Sequence, residues 1–486
     1  MQSEQMIRRV EKLDALRGEG IEVYPERFET NYELYEAGKL EDGTSDVRVA
    51  GRIISVRNFR TFSFVTVSNI EGSLQLLIRE GEVDDVQYRQ FHEFLDIGDF
   101  IGVEGTMYTT KTGEKTLRME RYTFLGKALR PLPEKWHGLT NIELRYRQRY
   151  LDLIMTKETQ QRLLVRSKMI RAIRTFFEER HFIEVETPVL QHTSSGALAK
   201  PFTTYHNSLH TDLNLRIAPE TYLKRLIVGG FTKVFEFAKC FRNEGISPQH
   251  LQEFTMLEGY AAYWDYNDTM AFMREMFLEV LERTFSTTHI EVKGQIIDFA
   301  EEWEVVSFHE LILRDTGIDI TNYPNVEGLY EATKRRGIDL EHEDVESLGR
   351  GNFIDLLYKK VSRPNIVKPT FLVEHPIDLS PLARANDTDE TLTDRFQLII
   401  NGAEIINAYS ELVNPIEQRR RLEDQALLKT NGDAEAMEMD EDYLLAMEYG
   451  MPPISGWGFS VERLLMVLTG SETIKDCVFF PLTKKV

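Results

Sequence analysis

The sequence predicts an α+β protein in which a small N-terminal β-barrel precedes a larger domain of antiparallel strands and flanking helices. Three features lead to this fold class. Residues 47–125 read as about five short strands with alternating side chains, separated by Gly or Asn turns. Residues 233–260 and 395–414 read as β-hairpins, whose strands pair antiparallel. Residues 158–180 and 268–285 read as helices, the first with an apolar stripe.

Composition, charge and cysteine content restrict the class of protein. With 486 residues, of which 42% are hydrophobic and 28% charged, the chain is long enough for two or three ordinary globular domains. Its net charge of −21 argues against binding nucleic acid through the overall field, so RNA would need a local basic surface. No apolar run reaches membrane-spanning length and the N-terminal segment is charged rather than signal-like, so we expect no membrane partner. Cys240 and Cys477 lack disulfide or metal-ligand spacing, which favours a reducing, cytoplasmic location.

Residues 1–45 read as a helical lead-in. Apolar residues recur there at helical spacing until two glycines end the pattern. These positions are Ile7, Val10, Leu13, Leu16, Gly18 and Gly20. We expect this helix to pack on its own domain.

Residues 46–125 form the predicted barrel, whose five strands match the count of an oligonucleotide-binding (OB) fold. Phe62 and Phe64 alternate with Ser63 and Val65, so one face could carry rings for stacking unpaired bases, at about 1–3 kcal/mol per base. The strand pattern alone favours the alternative, in which both rings lie in the core of a small barrel.

Residues 126–150 are predicted to link the barrel to the larger domain, residues 151–486. Two prolines stiffen this linker, and Arg145, Arg147 and Arg149 then bring local positive charge. These arginines either meet an RNA backbone or pair with the larger domain, and the sequence does not favour one over the other. Within the larger domain, residues from about 310 to 368 read as a helical, acidic insertion without assignable chemistry.

The hairpin at residues 233–260 combines charged and aromatic side chains. On its first strand Phe235, Phe237 and Phe241 share one face, so Arg242 leaves the strand from the opposite face. On the return strand four side chains of equal parity project together. They are Phe254, Met256, Glu258 and Tyr260. Such a set suits a nucleotide and a cation, whereas the FRNEG string alone is equally consistent with charges that solvate a hairpin.

Two further segments place acids where a ligand could bind. Glu220 follows Pro219 at a strand-to-helix corner, where complementing the helix dipole is the alternative. In the hairpin at residues 395–414, with Asn401-Gly402 at its turn, three polar side chains alternate on one face. They are Asn407, Tyr409 and Glu411. Glu404 is out of step with them, so it faces the same side only if the strand contains a β-bulge.

Three segments in order resemble the signature motifs of the class II aminoacyl-tRNA synthetases. The helix, strand and proline of residues 158–188 are similar to motif 1, and FRNEGI followed by HLQEFTMLE is similar to motif 2. Residues 450–470, in which Gly456 and Gly458 precede a helix carrying Arg463, are similar to motif 3; alone they would indicate only a structural turn. LRPLP, RYRQRYLDL and EHPIDLSPLAR resemble the lysyl enzymes in particular. No class I signature, HIGH or KMSKS, is present.

The resemblance extends from about residue 46 to the end of the chain and implies both fold and reaction. It implies an OB-fold anticodon-binding domain and a catalytic domain with a central antiparallel sheet flanked by helices. The enzyme would be a homodimer through motif 1. It would use ATP and Mg²⁺ to activate L-lysine as lysyl-adenylate, and would transfer the lysyl group to the 3′-end ribose of tRNA-Lys. No protein nucleophile is needed, because the protein's task is to position the reactants and neutralise phosphate charge.

Family correspondence also assigns roles to individual residues. For ATP it assigns Arg242, Glu244, His250, Phe254, Glu404 and Arg463, of which Arg242, Glu244 and Arg463 form the catalytic group. For lysine it assigns Gly196, Glu220, Arg242, Glu258, Tyr260, Asn407, Tyr409 and Glu411. The metal ligands would be Glu404 and Gln397. Anticodon bases would meet Arg57, Phe64 and Gln75.

Some positions depart from the family pattern. Gln397 stands where a metal-binding glutamate is common, and Ser460 replaces the third glycine of motif 3. Gln249 and Leu251 flank His250 where Arg and Asn are usual. A neutral amide coordinates magnesium less strongly than a carboxylate, so we expect weaker or fewer metal sites.

Three other functions compete with the lysyl assignment. An aspartyl or asparaginyl synthetase shares the architecture but is disfavoured by the acids Glu258 and Glu411. A lysyl-like ligase that modifies protein would lack the barrel. A non-catalytic RNA-binding paralogue is opposed by retention of the nucleotide-binding residues, although Gln397 is consistent with it.

Overall fold

A computed structural model describes residues 4–133, 139–197, 199–245, 247–292, 294–340, 349–430 and 439–484. Its contacts divide the chain into two compact units, residues 1–156 and 157–486. Parts of the predicted linker (134–138) and of the predicted acidic insertion (341–348) lie outside the described residues. Among the helices described, none combines the length and apolar character needed to span a lipid bilayer.

The first unit contains a closed barrel with strand order β1-β2-β3-β5-β4, in which only the β3–β5 pair is parallel. Its elements are α1 Glu4–Gly18, α2 Leu34–Ala37, β1 Val47–Asn58, β2 Phe62–Ser68, β3 Ser73–Arg79, α3 Asp85–Phe94, β4 Phe100–Thr109, β5 Lys115–Gly126, α4 Ile142–Arg147 and α5 Arg149–Met155. The five predicted strands are therefore confirmed. Helix α3, which begins after the capping residue Asp84, was not predicted.

Alternation along the strands separates the barrel core from its surface. On β2, Ser63 and Val65 are buried inside while Phe62 and Phe64 are only half-buried. The structure therefore does not support the core placement that the strand pattern alone favoured, and the two rings lie on the partly exposed face that the other interpretation, base stacking, requires. The lead-in helix α1 packs within this unit, burying Leu13 and Leu16.

The second unit is organised around a large sheet with strand order β14-β15-β16-β17-β18-β11-β10-β6. Its helices are α6 Lys157–Glu179, α7 Glu220–Val228, α8 Tyr266–Phe285, α9 Phe308–Thr316, α10 Val326–Arg335, α11 Arg350–Leu357, α12 Pro415–Thr430, α13 Glu441–Glu448 and α14 Val461–Leu468. Its strands are β6 Ile183–Glu184, β7 Leu190–Gln191, β8 Thr203–His206, β9 Thr211–Leu215, β10 Lys233–Phe241, β11 Glu253–Ala262, β12 His289–Val292, β13 Gln295–Asp298, β14 Glu304–Ser307, β15 Thr370–Pro376, β16 Leu392–Ile400, β17 Ala403–Ser410 and β18 Ile454–Ser460. The edge pairs β14–β15 and β6–β10 are parallel and the pairs between them are antiparallel, which matches the predicted central antiparallel sheet.

Helices α6 and α8 cover one face of this sheet with an aromatic core. Phe177 stacks on Phe235 of β10 at 5.0 Å between ring centroids, and Phe272 lies 5.9 Å from Trp457 of β18. Residues next to these in sequence point to the opposite face. That opposite face therefore presents Arg242, Phe254, Gly456 and their neighbours, and it carries the candidate site.

Helices α9 to α11 form a separate cluster between β14 and β15. Phe308, Leu311 and Phe353 are buried in its core, which continues onto Leu372 and Ile399 of the sheet. This cluster packs on the sheet at β15 and β16.

Candidate active site

One cavity of about 290 Å³ lies on the sheet face opposite α6 and α8. Residues of β11, β16, β17 and β18 line it, together with Arg242, which follows β10. Thirteen of the residues predicted from the sequence to bind ATP or lysine line it: Gly196, Glu220, Arg242, Glu244, His250, Phe254, Glu258, Tyr260, Glu404, Asn407, Tyr409, Glu411 and Arg463. Gln397, the second predicted metal ligand, is not among the lining residues. The roles of all these residues remain predictions.

The β10–β11 hairpin brings a guanidinium beside an aromatic ring. Cys240 pairs with Phe254, so Arg242 emerges next to that ring, with its guanidinium carbon 5.1 Å from the ring centroid. The backbone N–H of Arg242 donates to the Gln252 carbonyl at 2.9 Å and closes the loop. Its buried Nε has no hydrogen-bond partner among the described residues. Arg242 therefore lines the cavity and carries a donor that no acceptor among the described residues satisfies.

Ser460 ends β18 and caps the following helix. Its Oγ accepts the backbone N–H of Arg463 at 3.3 Å, a bond that the glycine usual at this position could not form. The Arg463 Nη1 donates to the Glu404 carbonyl at 3.2 Å and so ties the helix to β17. The serine thus contributes to holding the arginine at the cavity.

The β16–β17 hairpin contains the bulge that the sequence requires. Asn401 and Gly402 turn with φ of 52° and 69°, a two-residue loop of the type that Asn-Gly favours. A register shift at Leu398/Ile399 then leaves Ile405 without a partner, so that Ile399 pairs with Glu404 while Gln397 pairs with Asn407. Glu404 consequently shares the cavity face with Asn407 and Tyr409.

Buried acids dominate one end of the cavity. Glu220, Glu258 and Glu411 are 5%, 4% and 2% exposed. The Tyr409 hydroxyl donates to Glu220 Oε1 at 2.8 Å, and the Tyr260 hydroxyl to Glu258 Oε2 at 3.3 Å. Burial raises the pKa of Glu258 well above its ordinary value and that of Glu411 to about 8. Carboxylates so removed from water are stabilised by bound cations.

Lys224, which no sequence pattern indicated, contacts two of these acids. Its Nζ lies 2.5 Å from Glu220 Oε1 and 2.5 Å from Glu411 Oε2, and its side chain is fully buried. The contact with Glu411 lacks hydrogen-bond geometry, and neither oxygen of that carboxylate has a hydrogen-bond partner among the described residues. A lysine four positions after a glutamate reads as an ordinary surface helix pair, so the sequence held no clear signal for this role.

Arg395 was also missed, and it orients Asn407. Its Nε donates to Asn407 Oδ1 at 2.8 Å, while its Nη1 donates to the Leu379 carbonyl and to Ser380 Oγ, both at 2.8 Å. Leu379 to Ala383 line the cavity as well. The EHPIDLSPLAR string, noted from the sequence only as a resemblance, therefore forms part of the cavity wall.

Gly456 gives the acidic end its shape. A Cβ placed there would overlap the Tyr260 ring and the Glu411 carboxylate. At Gly458 the nearest neighbour of such a Cβ would be Met256 Sδ, at 3.7 Å. Only the first glycine is therefore required for the close approach of β18 to the acids.

The oxygen atoms of Glu404 and Gln397 suit a magnesium ion that is also coordinated by phosphate oxygens, rather than a metal site made of protein ligands alone. In the ranges that the structure describes, no group of three or more His, Cys, Asp and Glu side chains could hold a metal ion. Glu404 lines the cavity, and the buried Oε1 of Gln397 on the same sheet face has no hydrogen-bond partner there. Oxygen donors of this kind suit Mg²⁺, which commonly keeps one or two protein ligands and takes the rest from phosphates and water.

The barrel carries its own cluster of predicted ligand residues. Arg57 Nη2 donates to Gln75 Oε1 at 2.6 Å, and the Arg57 guanidinium carbon lies 5.5 Å from the Phe64 ring centroid. Phe62 lies 5.5 Å from Phe64 and 4.7 Å from Phe59, between ring centroids. The three predicted residues thus adjoin one half-exposed aromatic surface.

The linker arginines have carboxylate partners in their own segment. Arg145 Nε lies 2.8 Å and Arg149 Nη1 lies 2.6 Å from the Asp152 carboxylate. Arg147 Nη2 lies 2.6 Å from Glu143. Asp152 falls within the predicted bounds of the larger domain, 151–486, but the structure places it in the first compact unit, which runs to residue 156.

Comparison with known proteins identifies the family. A family model described as tRNA synthetases class II (D, K and N) matches residues 141–484. The chain belongs to the class II tRNA synthetases. A second model, described as OB-fold nucleic acid binding domain, matches residues 47–125 of this synthetase and confirms the predicted fold of the barrel.

Several relatives of this synthetase carry the name lysine–tRNA ligase. That of Pelotomaculum thermopropionicum is 45% identical over 480 residues, covering 98% of this synthetase and 94% of the relative. That of Thermotoga maritima is 43% identical over 485 residues, covering 98% and 95%. That of Aquifex aeolicus is 43% identical over 460 residues, covering 94% and 76%. The predicted resemblance and enzyme class are confirmed.

Proposed function

We propose that this synthetase is a lysine–tRNA ligase. The carboxylate of L-lysine attacks the α-phosphate of ATP, forming lysyl-adenylate and releasing pyrophosphate, and the 3′-end ribose of tRNA-Lys then displaces AMP. The observation that carries the proposal is the composition of one cavity, in which Arg242, Arg463 and the Phe254 ring are combined with three buried acids. Arginines suit phosphates, and buried acids suit the two ammonium groups of a diamino acid.

At the nucleotide end, Arg242 contacts the α-phosphate and the lysine carboxylate, which its planar fork can bridge. Phe254 stacks on the adenine with Arg463 on the other face, Glu244 meets the adenine amino group and His250 the terminal phosphates. The unpartnered Nε of Arg242 and its position beside the Phe254 ring support this arrangement. No side chain forms a covalent bond, so catalysis rests on orientation and charge neutralisation.

At the lysine end, Gly196 and Glu220 receive the α-amino group. Glu411 and Tyr260 receive the ε-amino group, with Glu258 and Tyr409 adjoining them, and Asn407 lies on the carboxylate side. The absence of hydrogen-bond partners for Glu411 among the described residues supports a ligand donor at that carboxylate. A neutral side chain would leave a buried charge unpaired, which is strongly unfavourable.

Glu404 and Gln397 would hold Mg²⁺ together with phosphate oxygens. When bound, the ion would neutralise charge on the triphosphate. The carboxylate of Glu404 at the cavity and the unpartnered amide oxygen of Gln397 support this assignment.

The proposal extends to partners and location. Residues 46–125 bind the anticodon through Arg57, Phe64 and Gln75, which the half-exposed aromatic surface supports. The synthetase is a homodimer through motif 1, where the exposed apolar side chains Leu164 and Ile183 support an interface. A cytoplasmic location is supported by Cys240 and Cys477, which are both unpaired and buried.

An ATP–pyrophosphate exchange assay with each of the twenty amino acids tests the proposal. We expect exchange with lysine only. Exchange with aspartate or asparagine would assign the chain to another synthetase of the same group, although the acids at the cavity end oppose this. No exchange with any amino acid would favour a non-catalytic RNA-binding protein.

A further inference from the structure

Lys224 contacts the cavity wall without lining it, and its charged side chain is fully enclosed. Its side chain has no exposed surface and its ammonium touches one carboxylate on its own helix and one after β17. Burying an ammonium is costly unless anions and hydrogen-bond acceptors surround it. Its position therefore has to be explained by the acids that it contacts.

Charged and phenolic groups from four elements face this ammonium. Glu220 comes from α7, Glu411 follows β17, and three tyrosine rings have their centroids 5.7–5.8 Å from Nζ. The rings are Tyr260 of β11, Tyr409 of β17 and Tyr443 of α13. Glu258 completes the set through its bond with Tyr260. No second lysine or arginine contacts Glu220 or Glu411 among the ion pairs of the described residues.

We propose that Lys224 is a positioning residue that sets the charge of the amino-acid pocket. This inference rests on the proposed function. The pocket contains three buried carboxylates, and Lys224 compensates one of them while bridging Glu220 and Glu411. When all three carboxylates are ionised around a bound substrate, two negative charges remain, one for each ammonium of a diamino acid, and the substrate carboxylate is left to Arg242. The resident lysine thereby matches the pocket to a substrate with two ammonium groups.

The proposed role of Lys224 can be measured through the pKa of the Glu411 carboxyl. Burial raises the pKa of Glu411, and the neighbouring Lys224 opposes that rise. Removal of the ammonium therefore raises the pKa further, so that the carboxylate needed for lysine ionises only at higher pH. One pKa unit corresponds to a tenfold change in the ionised fraction below the pKa.

The experiment compares lysine-dependent ATP–pyrophosphate exchange by the wild type and Lys224→Met from pH 6.5 to 9. We expect the lysine KM of Lys224→Met to rise about tenfold or more at pH 7, as one pKa unit implies. We expect the acid limb of its kcat/KM for lysine to move upward by about one pH unit or more, and the ATP KM to change less than about twofold. Lys224→Arg, which keeps the charge, restores the wild-type limb. If Lys224→Met does not fold, Lys224→Gln replaces it with the same expectations.

A matched control exists in the barrel. Lys127 is also fully buried, and its Nζ lies 2.5 Å from Asp96 and 2.8 Å from Asp99. Lys127→Met removes a similar buried pair from the other compact unit, so we expect no change in the lysine pH profile.

Three results overturn the inference. The first is a lysine KM of Lys224→Met equal to that of the wild type. The second is an equal, pH-independent increase in the KM values for lysine and ATP. The third is the same pH profile in Lys224→Arg as in Lys224→Met. A wild type that shows no lysine-dependent exchange instead overturns the proposed function.

Discussion

Individual carboxylates at the acidic end differ in how they are held. Glu220 accepts hydrogen bonds from Lys224 and Tyr409, whereas Glu411 contacts Lys224 without any directed hydrogen bond among the described residues. A buried carboxylate that lacks directed hydrogen bonds is stabilised most by a ligand that supplies hydrogen-bond donors. Glu411 is therefore the residue at which selection of the substrate side chain should be most sensitive.

Glu411→Gln should raise the lysine KM by about 30-fold or more while leaving the ATP KM unchanged. Truncating one partner of a buried charge pair costs about 2 kcal/mol or more. ATP–pyrophosphate exchange at varied lysine and ATP measures both constants. Glu244→Gln is the matched control, because its proposed contact is with adenine and it should act on the ATP KM. An unchanged lysine KM in Glu411→Gln would remove this residue from the lysine site.

Lysine use by the wild type should depend on pH through Glu411. Because burial raises the pKa of this carboxyl to about 8, it is mostly protonated at pH 7 in the free pocket. The kcat/KM for lysine should therefore increase as pH rises from 6.5 to about 8 and then level off. A Glu411→Gln profile with the same increase would attribute the titration to another group.

Gln397→Glu should lower the magnesium concentration needed for adenylate formation. A carboxylate coordinates Mg²⁺ more strongly than a neutral amide, and the Gln397 oxygen lies on the sheet face of Glu404. A magnesium titration of lysyl-adenylate formation compares the two proteins. Indistinguishable titrations would contradict the expectation of weaker metal binding in the natural protein.

At the level of elements, β18 controls the shape of the lysine end through one glycine. Gly456→Ala places a methyl group against the Tyr260 ring and the Glu411 carboxylate, and overpacking of this kind costs about 1–3 kcal/mol. We expect a higher lysine KM and a lower thermal midpoint. Gly458→Ala, two residues further along the same strand, should change both much less, since its Cβ finds room. Equal effects of the two substitutions would show that the strand tolerates no side chain at either position.

Strand parity predicted which hairpin residues meet at the cavity, because alternation is a local property of the chain. It placed Phe254 and Glu258 on the same face. It also showed that Glu404 would face away from Asn407 and Tyr409 in a regular strand, and the observed bulge turns Glu404 to their face. It could not find Lys224, because a lysine four residues after a glutamate looks like an ordinary helix pair and the contact with Glu411 joins segments far apart in sequence. It could not find the role of Arg395, because alternation does not predict which side chains bond to one another across a hairpin or to Leu379 and Ser380. Alternation also shows that Phe62 and Phe64 share a face but not which face is inside, so the strand pattern alone favoured a core placement, whereas the family resemblance put Phe64 on a base-binding surface.

At the scale of the whole molecule, the proposed adenylation site and the proposed anticodon-binding surface lie in different compact units. The cavity that supports adenylation lies entirely within residues 157–486, and the aromatic surface of the barrel lies within residues 1–156. Activation of the amino acid and recognition of the anticodon should therefore respond to different substitutions.

Phe64→Ala should raise the tRNA KM in aminoacylation roughly 5- to 150-fold, which corresponds to the loss of about 1–3 kcal/mol of base stacking. ATP–pyrophosphate exchange without tRNA should be unchanged. Phe100→Ala removes another partly exposed ring of the same barrel, on β4, and serves as the control. A loss of exchange activity in Phe64→Ala, or an equal tRNA effect in Phe100→Ala, would contradict a specific role for this ring.

The hairpin of β16 and β17 has one further consequence for the molecule as a whole. The two-residue turn at Asn401-Gly402 forces the surplus Ile405 into the strand, and that surplus rotates Glu404 toward the cavity. With a three-residue loop and regular pairing, the same glutamate would point away. The number of residues between the turn and Asn407 therefore matters more than the identity of the apolar residues among them. Inserting or deleting one residue there would turn Glu404 away from the cavity that also contains the lysine-site residues.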